Sequence, residues 1–225
     1  MIQEEKHLWR KGYKYVVGID EAGRGPLAGP VSAGAVLILE KDFKEVKKIK
    51  SVKDSKKLKE EKRKEVYLNL IRDKRIKWGI GMVSEKVIDK INILEATKLA
   101  MIKAVKDLEK KNGIKTDFLI LDGKMKLDLK IDQKSIIKGD DKVFSISAAS
   151  IIAKVRRDEL MEKYDKKYPQ YNFKKHKGYG TKEHLKKIKK YGACKIHRKS
   201  FAPINQLTMI PILSPLPDRP RRLWR

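Results

Sequence analysis

The sequence predicts an α/β fold in which a mixed sheet is flanked by helices. Two observations carry that prediction. Short apolar runs rich in Val and Ile come first, and longer segments with apolar residues at helical spacing follow, in the order β-β-β-α-β-α. The chain has 225 residues, 40% of them hydrophobic, which is enough to build a core of ordinary domain size.

Tyr15 to Asp20 and Val31 to Leu39 read as strands joined by a bend holding Gly23, Gly25 and Gly29. "SVKDSKKLKEEKRKEVYLNLIRD" reads as a loop feeding a helix, with Ser55 as N-cap and Val66, Leu70 and Ile71 on one face. Ile76 to Val83 is a third strand, interrupted by Gly79 and Gly81. "SEKVIDKINILEATKLAMIKAVKDLEKK" carries one or two helices, with Ile93, Leu94, Ala96, Leu99, Ala100, Ile102 and Val105 on the apolar face, and Asn112-Gly113 ends it. "DFLILDG" is a short buried strand finishing in Asp122, and "SIIKGDD" repeats the arrangement with Gly139, Asp140 and Asp141. "SISAASIIAKVRRDELMEKY" is a helix whose small first-turn residues permit close packing on a sheet. "PQYNFKKHKGYGTKEHLKKIKKYG" is a loop followed by a short basic helix. After Phe201 the chain is too rich in proline for regular structure.

The net charge is +27, from 56 Lys and Arg against 29 acids. Between Ile151 and Ser200 there are 17 basic residues and 5 acids, a net of +12. Such a field favours a polyanion, most simply nucleic acid; a lysine-rich solvated surface is the alternative. One cysteine, Cys194, excludes an intramolecular disulfide and an all-cysteine zinc site, and points to a reducing compartment. No stretch has signal-peptide or membrane-span character, so a cytoplasmic protein is expected. Nothing in the pattern asks for a dimer, and a monomer is the expectation.

Three strand ends therefore carry acids: Asp20 with Glu21, Asp122, and Asp140. Ligands of open α/β sheets gather at such ends. Carboxylates brought together there repel one another unless a cation lies between them. Hard oxygen ligands suit Mg²⁺ or Mn²⁺, and two such ions roughly 3.5–4 Å apart can clamp a phosphate. Together with the basic surface, this predicts a metal-dependent nuclease or another phosphoryl-transfer enzyme. Taken singly, Asp122-Gly123 and Gly139-Asp140 also read as turns, and a non-catalytic nucleic-acid-binding protein is the competing class.

The glycines after Glu21 match neither a dinucleotide fingerprint nor a P-loop. "GRG" offers backbone for close contact with a ribose or phosphate, or simply a tight turn. His176, His184 and His197 are not expected to act in catalysis. Arg157 and Asp158 read as a structural pair or as helix surface. Trp9, Tyr13 and Tyr15 are expected to cover one end of the core, Tyr164, Tyr168 and Tyr171 to pack in a C-terminal subdomain, and Cys194 to be inert.

"GIDEAGRGPLAGPV", "DSKKL", "NILEATKLAM", "LDGK", "KGDDKVFSISAASIIAKVRRDELM", "HKGYGTKEH" and "IHRKSFAP" together closely resemble the bacterial ribonuclease HII family, in order from about Val16 to Pro203. The related ribonuclease HIII carries an additional N-terminal domain, and only about fifteen residues precede the first strand here. The resemblance implies a ribonuclease H-like mixed five-stranded sheet and a catalytic domain over residues 1–203. It also implies a helical subdomain at about 155–200, with residues 204–225 as a proline-rich basic tail. It implies endonucleolytic cutting of the RNA strand in RNA–DNA hybrids and at single ribonucleotides in duplex DNA. The products would carry 5′-phosphate and 3′-hydroxyl ends, and the role would be ribonucleotide removal during replication and repair.

Four catalytic, metal-binding acids carry over to Asp20, Glu21, Asp122 and Asp140, with two Mg²⁺ or Mn²⁺ ions bound alongside substrate. Asp140 is the ligand because the family's acid directly follows the glycine; Asp141 occupies a variable position. Gly23, Arg24 and Gly25 correspond to the glycine-arginine-glycine motif whose backbone reads the 2′-hydroxyl. Tyr179 resembles the tyrosine that stacks on the sugar after the ribonucleotide, and Lys56 the lysine contacting a phosphate near the cut. "QLTMIPIL" has the first glutamine of a clamp-binding peptide but not its aromatic pair, so no protein partner is assigned.

Overall fold

The computed structural model describes residues 4–49, 52 and 58–207. Five strands form one sheet: β1 (Val16–Ala22), β2 (Val31–Ile38), β3 (Ile76–Val83), β4 (Phe118–Asp122) and β5 (Asp132–Ile136), in the order β3-β2-β1-β4-β5. β2 runs antiparallel to both β1 and β3, while β1, β4 and β5 are parallel. The mixed sheet with flanking helices is the architecture that the sequence predicts.

The strands form because Val, Ile and Leu alternate across the pleat and each face finds a helical layer to bury against. On one face lies α4 (Glu85–Asn112), packed on β3 and β2. It approaches closely because a Cβ on Gly79 or Gly81 would run into the carbonyls of Ala104 and Ala100. The question of one helix or two is answered by two helical stretches meeting at Asn92, and Leu94, expected on the apolar face, is instead exposed at the start of the second. Asn92 adopts φ 65°, and its Oδ1 accepts from the N–H groups of Leu94 and Glu95, capping the second half.

On the other face lies α6 (Phe144–Lys167), packed on β1 and β2. A Cβ on Gly18 or Gly34 would collide with Ser145 or with the Ala149 carbonyl, so the small first-turn residues of α6 sit directly on the strands. The same layer holds α1 (Glu4–Arg10), α2 (Glu40–Val46) and α3 (Glu60–Arg72). Trp9 is buried against Phe43 there, and Tyr13 packs at the edge of this core.

A third, smaller core joins the bend after β1 to the C-terminal segments. It contains Leu27, Ala28, Met161, Tyr171, Phe173, Ile188, Ile196 and Ile204, with Tyr164 and Tyr168 packed against it. Its helical parts are α7 (Phe173–His176), α8 (Lys182–Tyr191) and α9 (Ile204–Leu207). Residues 204–207, assigned to the tail in the sequence reading, form this last turn, with Ile204 fully buried.

Candidate active site

The parallel register of β1 and β4 pairs Ile19 with Leu121, which sets Asp20 and Asp122 side by side at the next step. Alternation decides their direction. Val17, Ile19, Leu119 and Leu121 face the α4 core, so Asp20 and Asp122 turn to the α6 face. The short helix α5 (Gly139–Lys142) follows β5, the neighbour of β4, and brings Gly139 against Asp122; Asp140, the next residue, is fully buried. The Gly139 N–H donates to Asp122 Oδ1 at 2.6 Å, tying the start of α5 to the end of β4.

Asp20 is 5% exposed. Burial, then the charges of Glu21 and Asp122, hold its carboxyl well above the usual range, against hydrogen bonds from Ser150 and the Glu21 N–H. Glu21 is also raised, by burial first, while Arg24 opposes the shift from 3.2 Å. Glu21 Oε2 is buried without a hydrogen-bond partner among the described residues. Like charges forced together in this way invite a cation, and an all-carboxylate donor set suits a hard divalent ion. In kind the residues fit such an ion. In arrangement they do not form a closed cage, because no three His, Cys, Asp or Glu side chains among the described residues are placed to hold a metal unaided.

Beside the acids opens a cavity of about 380 Å³, lined by Glu21, Ala22, Gly23, Arg24, Gly25, Arg63, Ser150, Ile151, Lys154 and Tyr179. The glycine bend and Tyr179, 154 positions apart in the chain, thus share one wall. Tyr179 is 43% exposed, and Lys154 Nζ lies 5.8 Å from the centre of its ring. Burial lowers the Lys154 ammonium, although Asp158 pairs with it at 2.8 Å. Lys56 lies outside the described residues.

The reading of Arg157 and Asp158 as a mutual pair or helix surface is corrected. Asp158 takes Lys154 as its partner, and the fully buried Arg157 donates instead to the carbonyls of Pro30, Ala28 and Lys177. Arg63, Ser150, Lys154 and Arg198 were passed over as individual residues. In a chain with this much positive charge, a buried basic residue looks like any other.

The three histidines form a buried layer behind Tyr179, as core rather than chemistry. Their protonation follows from their partners. The Cys194 N–H donates to His197 Nδ1 at 2.9 Å, so His197 carries its proton on Nε2 and donates to His184 Nε2 at 3.0 Å. His184 then donates from Nδ1 to the Tyr179 carbonyl at 2.9 Å. Burial pushes both His184 and His197 down to about 4, keeping the relay neutral, and pushes the Cys194 thiol up to about 11, far from thiolate reactivity.

Residues 17–204 match the profile of the Ribonuclease HII family. Ribonuclease HII of Acetivibrio thermocellus is 53% identical over 197 residues, covering 88% of this chain and 73% of that one. The crystal structure of ribonuclease H2 from Pyrococcus horikoshii superposes with a TM-score of 0.69 at 31% identity, over 86% of this chain and 96% of that one. Bst-RNase HIII in complex with Mn²⁺ shares the fold at a TM-score of 0.65 and 18% identity, over 87% and 70% of the two chains. The chain belongs to the ribonuclease HII family, metal-dependent endoribonucleases of the type-2 ribonuclease H class that act on RNA–DNA hybrids.

Proposed function

We propose that this chain cuts both RNA–DNA hybrids and single ribonucleotides embedded in duplex DNA, leaving 5′-phosphate and 3′-hydroxyl ends, and that it serves ribonucleotide removal from DNA. The observation that carries the reading is a cavity lined by Glu21, the glycine bend and an exposed tyrosine, with Asp20 held among the repelling charges of Glu21 and Asp122.

Asp20, Glu21, Asp122 and Asp140 are the residues assigned to hold two divalent ions, Mg²⁺ or Mn²⁺; the Mn²⁺ complex of the ribonuclease HIII relative is consistent with either choice. Bound there, such ions would supply an acidified water and charge neutralisation at the scissile phosphate. The protein's own part is positional. Ser150 and the Glu21 N–H hold the Asp20 carboxylate, and the Gly139 N–H holds that of Asp122. Gly23 to Gly25 meet the ribose, and Tyr179 lies against the following sugar, where it senses the RNA-to-DNA junction. Arg63 and Lys154 add positive charge along the backbone path, and the Lys-rich α8 adds more beyond it, which makes affinity fall steeply with salt.

The test is cleavage of a DNA duplex containing one ribonucleotide, in Mg²⁺ or Mn²⁺, by the unaltered chain and by Asp20→Asn. Cutting by the first alone, 5′ to the ribonucleotide, is the expected result. Equal cutting by both refutes the acid assignment, and binding without cutting by either favours a binding module.

A further inference from the structure

Two arginines are completely buried, and neither makes an ion pair among the described residues. A buried charge without a counter-ion is costly, so its hydrogen-bond partners reveal why it is kept. Arg198 donates to the carbonyls of Gly29 at 2.9 Å, Arg24 at 2.8 Å and Gly23 at 2.6 Å. Arg157 donates to the Ala28 and Pro30 carbonyls of the same bend. Five carbonyls from one eight-residue loop therefore point at two guanidinium groups.

In a trans peptide the C=O and the following N–H point in opposite directions. Drawing the Gly23 and Arg24 carbonyls towards Arg198 turns the N–H groups of Arg24 and Gly25 to the opposite side of the loop. Gly23, Arg24 and Gly25 line the cavity there, and Arg198 does not. Neither N–H has a hydrogen-bond acceptor among the described residues. Gly23 has φ +91°, and a Cβ on it would strike the Arg157 side chain, so the loop is pressed against the cations on one side and open on the other. A guanidinium behind each carbonyl also polarises the peptide and strengthens its outward donor.

We propose that Arg198 is the positioning residue for ribose recognition, holding two consecutive peptides so that their N–H groups face the 2′-oxygen of the substrate. It lies 173 positions beyond Gly25 and touches no substrate itself. The inference rests on the reading above, in which Gly23 to Gly25 meet the ribose, and it adds the group that orients them. Lysine at this position keeps the charge but loses the planar fork that reaches three carbonyls at once.

The experiment compares two duplexes of one sequence, one with a single ribonucleotide and one all DNA, with binding measured in Ca²⁺ so that the strands stay intact. For Arg198→Lys, preference for the ribonucleotide duplex should fall about tenfold, while affinity for the all-DNA duplex stays within about twofold. Parallel loss on both duplexes, or an unchanged preference, overturns the role of Arg198. If the unaltered chain does not discriminate, the ribose-reading loop itself is refuted, which is a separate result. Should Arg198→Lys not fold, Arg198→Gln, which cannot make all three of these hydrogen bonds, takes its place on the same two duplexes. A selective loss of preference for the ribonucleotide duplex supports the role, and an unchanged preference or a parallel loss on both overturns it.

Discussion

The acids at the end of β1 and the cations beneath the neighbouring bend are both buried charges, yet they are treated in opposite ways. Asp20 and Glu21 sit among like charges, with the Glu21 Oε2 lacking a hydrogen-bond partner among the described residues. Arg157 and Arg198 have three carbonyl acceptors each. Burial alone therefore does not mark a working group. Dissatisfaction marks a place reserved for something else, and full satisfaction marks a scaffold. The histidine layer belongs with the scaffold, since every donor in its relay meets an acceptor.

That contrast can be broken first at Asp20. Asp20→Asn should lower cleavage at least about a thousandfold, and it should raise stability in the metal-free protein by about 1 kcal/mol, because repulsion among the acids is relieved. Cleavage rates and urea unfolding measure the two effects, and a variant both inactive and destabilised would contradict the contrast. The opposite is expected of Arg157→Met. Three buried carbonyls lose a charged donor together, so stability should drop by about 3–5 kcal/mol. A loss under about 1 kcal/mol would show that the scaffold is not one.

Acid separates the two regions by sign. His184 and His197 have folded values near 4 against an ordinary 6.5, so the unfolded chain takes up protons first. Their contribution is complete above about pH 6.5 and is lost as pH falls towards 4, by up to about 3 kcal/mol for each ring. Asp20 and Glu21 are raised, so in the metal-free protein their protonation on acidification favours the folded state. Urea unfolding at pH 7 and pH 4.5 should thus show a net loss of stability that shrinks by more than half in His184→Phe. The smallest effect is expected at Tyr179, whose ring is exposed. Tyr179→Ala should cost about tenfold in single-ribonucleotide cutting and less than about threefold on long hybrids, with stability unchanged within about 0.5 kcal/mol.

Much of this was legible in the sequence where hydrophobic pattern and chemistry coincide. β1 to β4 announce themselves by buried Val, Ile and Leu, and Asp20 and Asp122 stand out as acids ending such runs. β5 does not, because "DQKSI" is a half-exposed edge strand without apolar alternation. The short helix at Gly139 likewise looked like a strand end, although the place of Asp140 just beyond β5 is the same either way. The roles of Arg157, Arg198 and the histidines were hidden for a different reason. Their partners are backbone carbonyls and distant rings, which leave no mark in side-chain spacing.

The bend after β1 is stitched to segments synthesised far later. Leu27 N–H donates to the Gly178 carbonyl, Gly29 N–H to that of Ile196, and Arg198 N–H to that of Leu27. During translation the sheet and its carboxylates can therefore assemble while the bend still lacks its tethers. A nascent or prematurely terminated chain ending before residue 196 would carry its acids without the bend set in place. If the bend reads the ribose as proposed above, substrate choice is the last property such a molecule acquires as it is made, and the first it forfeits to truncation.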